Sequence, residues 1–147
     1  MVVGFNPYFN MLIGLFITII VQSSSITTST LTPIAAVGLI RLEDMMPLTL
    51  GANIGTTLTG IMAASIVTDD PVAGWQVALC HLFFNIFGIL VWYPVPFMRR
   101  VPLNAARALG RMTAHPKWGT FFPLVYTFGV FFIIPAICYG IAVAATQ

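Results

Sequence analysis

Eight hydroxyl side chains crowd into residues 23–33, between two apolar runs that are each too short to cross a membrane. The runs are residues 9–21, stopped by Gln22, and residues 34–40, stopped by Arg41-Leu42-Glu43-Asp44. In a soluble chain this would be an ordinary loop. Here hydrophobic residues make up 59% and charged residues 7%, against about 25% charged in a soluble domain. Such a chain cannot cover its own surface with polar groups, so its solvent is the bilayer. At bilayer depth every backbone N–H and C=O needs a partner, and irregular backbone survives only where protein buries it or it lines a cavity. The segment therefore predicts a re-entrant hairpin or a broken helix. Pro33 fits, because it lacks an N–H and disfavours helix at Thr32.

The rest of the chain follows the same logic. The 147 residues leave room for about four or five spanning elements. Residues 45–67 are long enough to span, and Gly51-Ala52-Asn53-Ile54-Gly55-Thr56-Thr57 predicts an interruption near the middle, with close backbone approach and unusual dihedrals at the glycines. Asp69-Asp70-Pro71 reads as an exit turn that ends this helix. Residues 73–98 read as a transmembrane helix closing on the interfacial Trp92 and Tyr93. Residues 99–117 hold Arg99, Arg100, Arg107, Arg111 and Lys117 with no acid, and residues 119–145 form another spanning helix. Positive charge collects in cytoplasmic loops, which puts 99–117 in the cytoplasm. The spacing of Arg107 and Arg111 also suits a short helix on the inner leaflet. The sequence predicts an all-α integral membrane fold, with residues 1–67 as the polar unit, 73–98 and 119–145 as helices and 99–117 as a basic loop.

Several functions are excluded or left without support. A net charge of +2 is too weak for nucleic acid. Cys80 and Cys138 sit in apolar runs and need neither a disulfide nor a metal. No Gly-x-Ser-x-Gly elbow with a His and an acid is present, so no catalytic residue is assigned and no enzyme is expected. The start, Met1-Val2-Val3-Gly4-Phe5, lacks the features of a signal peptide.

The ligands in the polar segments are neutral oxygens and amides: Gln22, Asn53, the hydroxyls of Ser23, Ser24, Ser25, Thr56, Thr57 and Thr59. Half-helix N-termini favour anions, and unwound carbonyls and C-termini favour cations. The arrangement suits a small ion or an ion pair, with Na+ as the plausible hard cation. Serine and threonine in membrane helices commonly bond the i−4 carbonyl or join helices. That reading is preferred for Thr18, Thr49 and Thr127 singly, but not for the cluster beside Gln22. Helix–helix hydrogen bonding is likewise preferred for Gln76, His81 and Asn85 on the 73–98 helix.

Gln22-Ser23-Ser24-Ser25, then Thr32-Pro33, then residues 47–57, resembles the second QSSS repeat of the type II sodium-dependent phosphate cotransporter family. The resemblance continues through residues 76–86, Trp92-Tyr93-Pro94 and residues 105–111. It implies sodium-coupled symport of inorganic phosphate across the plasma membrane, with two inverted repeats meeting at the membrane centre. It implies a sodium site at Gln22, Ser23, Thr56 and Thr59, and phosphate contacts from Ser23, Ser24, Ser25 and Asn53. Sodium is a co-transported ligand, and no other metal or cofactor is implied. Family members often have Ser where this chain has Ala52, which removes one hydroxyl. The resemblance makes the chain a C-terminal half or fragment whose missing N-terminal repeat is its partner. The alternative is a non-transporting membrane subunit whose hydroxyls pack it against a partner, and a homodimer of opposite insertions is disfavoured by the charge bias of 99–117.

Overall fold

The computed structural model describes residues 6–66 and 70–145. They form two compact units, one running to Leu103 and one from Asn104. All regular structure among the described residues is helical.

In the first unit, α1 (Pro7–Val21) starts where Asn6 accepts the Tyr8 N–H and Pro7 takes the first position, where its missing N–H costs nothing. It ends at Gln22, whose φ of 56° is left-handed, with the Gln22 N–H on the Thr18 carbonyl at 2.7 Å. After Ser23 the chain turns directly into α2 (Ser24–Ala36). The loop after α2 reverses at Gly38, where φ is 77° and a side chain would be strained. There follows α3 (Leu42–Ala64), which carries Glu43 and Asp44 in its first turn, where the helix dipole favours acids. Arg41 grips Asp44 through Nε at 2.8 Å, a contact that holds the guanidinium charged.

Two expectations of interrupted backbone fail here. The hydroxyl-rich segment is not irregular backbone: it is α2, with Thr32 and Pro33 inside it. Its hydroxyls donate to their own helix, Thr27 to Ser23, Thr28 to Ser24, Thr30 to Ile26 and Thr32 to Thr28, all at 2.8–3.1 Å. Each threonine thus satisfies its own polar group without leaving the helix. Nor is α3 broken at Gly51-Thr57; it is continuous, and neither glycine there has a positive φ.

What the glycines do is bring backbones together. A Cβ on Gly51 would strike the Met11 carbonyl, and one on Gly14 the Leu48 carbonyl. On Gly55 it would lie 2.7 Å from the Leu15 oxygen and 2.8 Å from Thr18 Cβ. Met11 meets Gly51 and Leu15 meets Gly55, so α1 and α3 run parallel, joined through small residues as membrane helices commonly are. Thr18 and Thr27 touch across the turn, so α2 runs back antiparallel to α1.

Asp70 caps α4 (Pro71–Trp92), accepting the Ala73 N–H at 3.0 Å. Pro71 therefore opens a helix rather than ending one; Asp69 lies outside the described residues. Gly74 sits beside Ala64, and Tyr93 packs edge-on against Tyr8 at 6.0 Å between ring centroids, so α4 returns along the unit. It stops at Trp92, earlier than residue 98. Residues 96–113, expected as a loop from 99, form α5 (Pro96–Thr113).

In the second unit, α6 (Phe122–Ala145) contains a wide π turn at Gly129–Ile133. Pro135 explains it: a proline ring clashes with the i−4 carbonyl of a regular helix, and the wider turn moves that carbonyl away. Helices α4 and α6 are the two, among the described residues, that are long and apolar enough to cross a membrane. The length of α3 would suffice, but it lacks their apolarity.

Candidate functional site

The turn between α1 and α2 puts two helix ends of opposite polarity side by side. The last carbonyls of α1 have no helical donors, so Gln22 marks a partially negative end. One residue later, Ser23 caps α2: its Oγ accepts the Ile26 N–H at 3.2 Å. That leaves the backbone N–H groups of Ser24 and Ser25 directed out of the helix, beside the hydroxyls of Ser23, Ser24 and Ser25. A helix N-terminus with free N–H and O–H donors suits an anion. A cation suits the adjacent carbonyl end. Gln22 and Ser25 are exposed, while Ser23 and Ser24 are half-buried.

Helix α3 supplies the third wall. Thr18 Oγ1 lies 3.2 Å from Thr27 Oγ1, and Thr18 also touches the position where a Gly55 side chain would be. Thr27 in turn donates its Oγ1 hydrogen to the Ser23 carbonyl at 2.9 Å. The tip is thereby tied to the Gly55–Thr59 stretch through Thr18 and Thr27. Thr59 lies one turn beyond Gly55, roughly 40° around the helix from it, and Thr56 roughly 100° around. Asn53 lies roughly 160° around, on the side where Ala64 meets Gly74 of α4. Thr59 is thus the assigned α3 residue best placed towards α1, and Asn53 is turned away from it.

The hydroxyls of α3 are already oriented. Thr59 donates to the Thr56 carbonyl at 2.7 Å and Thr56 to the Ala52 carbonyl at 3.3 Å. With the hydrogens committed to the backbone, the outward lone pairs can only accept, which is what a cation needs. The serines at the α2 N-terminus are the reverse case, since Ser23 accepts from Ile26 and keeps its hydrogen to give. No group of three or more His, Cys, Asp or Glu is gathered among the described residues; any cation here would be held by neutral oxygens, a donor set that fits a hard monovalent ion. Among the described residues no hydrogen bond joins Gln22 or Ser23 directly to Thr56 or Thr59.

Sequence reasoning undervalued the centre of this cluster. Thr18 and Thr57 are the most buried polar residues, at 0% and 1% exposure, with Thr27 and Asn10 close behind. The signal for Thr18 is the series Asn10-Gly14-Thr18-Gln22, small or polar residues every fourth position of an otherwise apolar helix. Thr49, by contrast, simply bonds the Met45 carbonyl. Thr18→Val should remove the α1–α2 hydroxyl contact at nearly constant volume. The expected loss is about 0.6–1.7 kcal/mol, read as a lowered melting temperature in detergent with unchanged helix content.

On α4, His81 is exposed, and the half-buried Asn85 has an amide nitrogen without a hydrogen-bond partner. A buried, unsatisfied donor costs about 1–3 kcal/mol. The helix–helix bond expected for Asn85 is therefore not made within the described chain.

A family model described as Na+/Pi-cotransporter matches residues 3–133. The chain is 45% identical over 141 residues to sodium-dependent phosphate transport protein 2A of Rattus norvegicus, covering 95% of this chain and 22% of that protein. It is 46% identical over 138 residues to sodium-dependent phosphate transport protein 2B of Homo sapiens, covering 93% of this chain and 19% of that one. The chain thus spans about a fifth of the length of these relatives. No solved structure matches it.

Proposed function

The chain belongs to the Na+/Pi-cotransporter family, and on that premise we propose that it forms one arm of a sodium-coupled symporter of inorganic phosphate in the plasma membrane. The observation that carries this reading is the turn at Gln22–Ser23, where a helix C-terminus and a helix N-terminus meet. One short turn offers carbonyl oxygens to a cation and N–H and O–H groups to an anion, so each ion lowers the cost of holding the other. Coupling is then electrostatic: phosphate without sodium meets uncompensated carbonyls nearby, and sodium without phosphate meets the positive end of α2.

Sodium is held by the carbonyl end of α1 with Gln22, Ser23, Thr59 and Thr56. Phosphate is held by Ser23, Ser24 and Ser25. Asn53 is the weakest of the assigned contacts, given its position around α3. At about 1.5 Å per residue, the 15 residues of α1 and the 13 of α2 reach about 22 and 20 Å, short of a bilayer core of about 30 Å. A hairpin of that reach enters and returns, leaving Gln22–Ser25 at depth beside α3. A second, inverted repeat upstream would face it. On this reading the 99–117 segment faces the cytoplasm, as its excess of basic residues favours.

Sodium titrations of phosphate binding separate the roles. They use membranes in which the chain is co-expressed with a half-transporter carrying an upstream QSSS repeat. Thr59→Val should raise the sodium concentration for half-saturation about tenfold, and Ser25→Ala should weaken phosphate about tenfold at saturating sodium, each being one ligand lost. If both variants shift both ligands equally, the division of the site is wrong. A purely structural subunit would show no ligand effect at all, only weaker co-purification.

A further inference from the structure

Helix α5 carries four arginines and no acid. At about 100° per residue, Arg100, Arg107 and Arg111 fall in one stripe roughly 40° wide, with Asn104 beside it. Phe97, Val101, Ala105, Ala108 and Met112 form a second stripe, centred roughly 100° further round. A third side carries Leu103, 7% exposed, and Arg99, whose guanidinium lies 5.4 Å from the Tyr93 ring centroid. Arg99 on that side is held by the Tyr93 ring. The apolar stripe is turned elsewhere: Phe97 is 75% exposed, and Val101 and Met112 about half.

The position along the chain fixes the surroundings. Helix α4 ends at Trp92, Tyr93 follows, and Pro96 starts α5 three residues later. A spanning helix that closes on Trp and Tyr has reached the interface between acyl chains and headgroups. An adjoining helix with one apolar and one basic stripe is built to lie in that interface.

We propose that α5 seats its Phe97–Val101–Met112 stripe in the interface of an anionic leaflet and binds phospholipid headgroups with Arg100, Arg107 and Arg111. The occupant is a lipid surface because the two stripes demand both things at once: an apolar layer beneath and negative charge above. A soluble acidic partner would leave the apolar stripe uncovered. Anionic lipids attract each basic residue near the surface, within the reach of salt screening. The inference does not depend on the phosphate-transport reading, nor on which side of the membrane α5 faces.

The test uses the full chain in nanodiscs of phosphatidylcholine, with or without about 30% phosphatidylserine. With Cys80→Ser and Cys138→Ser in place, a spin label is put on Ala105→Cys or, separately, Asn104→Cys. Accessibility to oxygen and to a nickel chelate reports depth. The Ala105 label should be in lipid and the Asn104 label in water. Adding phosphatidylserine should shift the Ala105 label deeper, lowering nickel accessibility about threefold. About 0.5 M salt should cancel the shift in the unsubstituted helix, as should Arg100→Gln/Arg107→Gln/Arg111→Gln. Equal nickel accessibility at the two labels would overturn the seating, and identical depth in both lipid mixtures would overturn the headgroup binding. A shift produced in phosphatidylcholine by inorganic phosphate would assign the stripe to a soluble anion and also overturn the proposal.

Discussion

Gly51→Ala should cost the first unit about 3 kcal/mol or more and lower its melting temperature in detergent by roughly 10 °C. The added methyl group has nowhere to go. It would overlap the Met11 carbonyl, which is backbone and cannot rotate aside like a side chain. Gly14 faces the Leu48 carbonyl in the same way, so the two helices are locked at a spacing that tolerates no Cβ on either partner. For α1 to move outward it must uncover Thr18, Asn10 and Leu48 together. The control is Gly60→Ala, where nothing lies within 4 Å of the new atom. There the helix gains the better propensity of alanine, up to about 1 kcal/mol. A Gly51→Ala protein that melts within a degree or two of the unsubstituted chain would show that α1 and α3 do not pack through these glycines.

The second large effect runs in opposite directions for stability and for function. Gln22 holds a left-handed backbone with a side chain attached, a conformation that costs roughly 1–2 kcal/mol outside glycine. Strain of this kind persists where the surrounding structure imposes it, often at functional positions. Gln22→Gly releases the strain, against which the unfolded chain gains freedom. The net expectation is a melting temperature unchanged or slightly raised. The same substitution deletes the amide that the proposed sodium site uses, so sodium activation of phosphate binding should fall at least tenfold. A fall in both quantities would make Gln22 a structural residue, and a fall in neither would remove it from the site.

How far the sequence reveals this architecture differs from helix to helix. The apolar length of α4 and α6, enough to cross a membrane, is legible because it rests on composition and needs no tertiary context. The continuity of α3 is not. Gly51 and Gly55 each carry a local helix penalty of about 1 kcal/mol, which read alone suggests a break. The compensating term is contact with α1, which lies some forty positions away in sequence and has no local signature. The same holds for α2, where a run of serine and threonine looks like loop until its four threonine hydroxyls are seen to close on the i−4 carbonyls. In the candidate site, Gln22 to Ser25 stand out as polarity in an apolar chain. Thr18 does not, since a lone threonine in a membrane helix has many ordinary uses. Its part in joining α1, α2 and α3 becomes visible only once Gly55 lies against it.

The central claim is that the Gln22–Ser25 turn holds sodium and phosphate together as half of a transport site. It is tested most directly by radiolabelled phosphate uptake into cells that co-express this chain with a half-transporter carrying an upstream QSSS repeat. Uptake should appear above that of either half alone, should require sodium, and should be lost in Gln22→Ala and in Thr56→Ala while both variants still reach the membrane. Sodium-dependent uptake that is unchanged by both substitutions would contradict the claim.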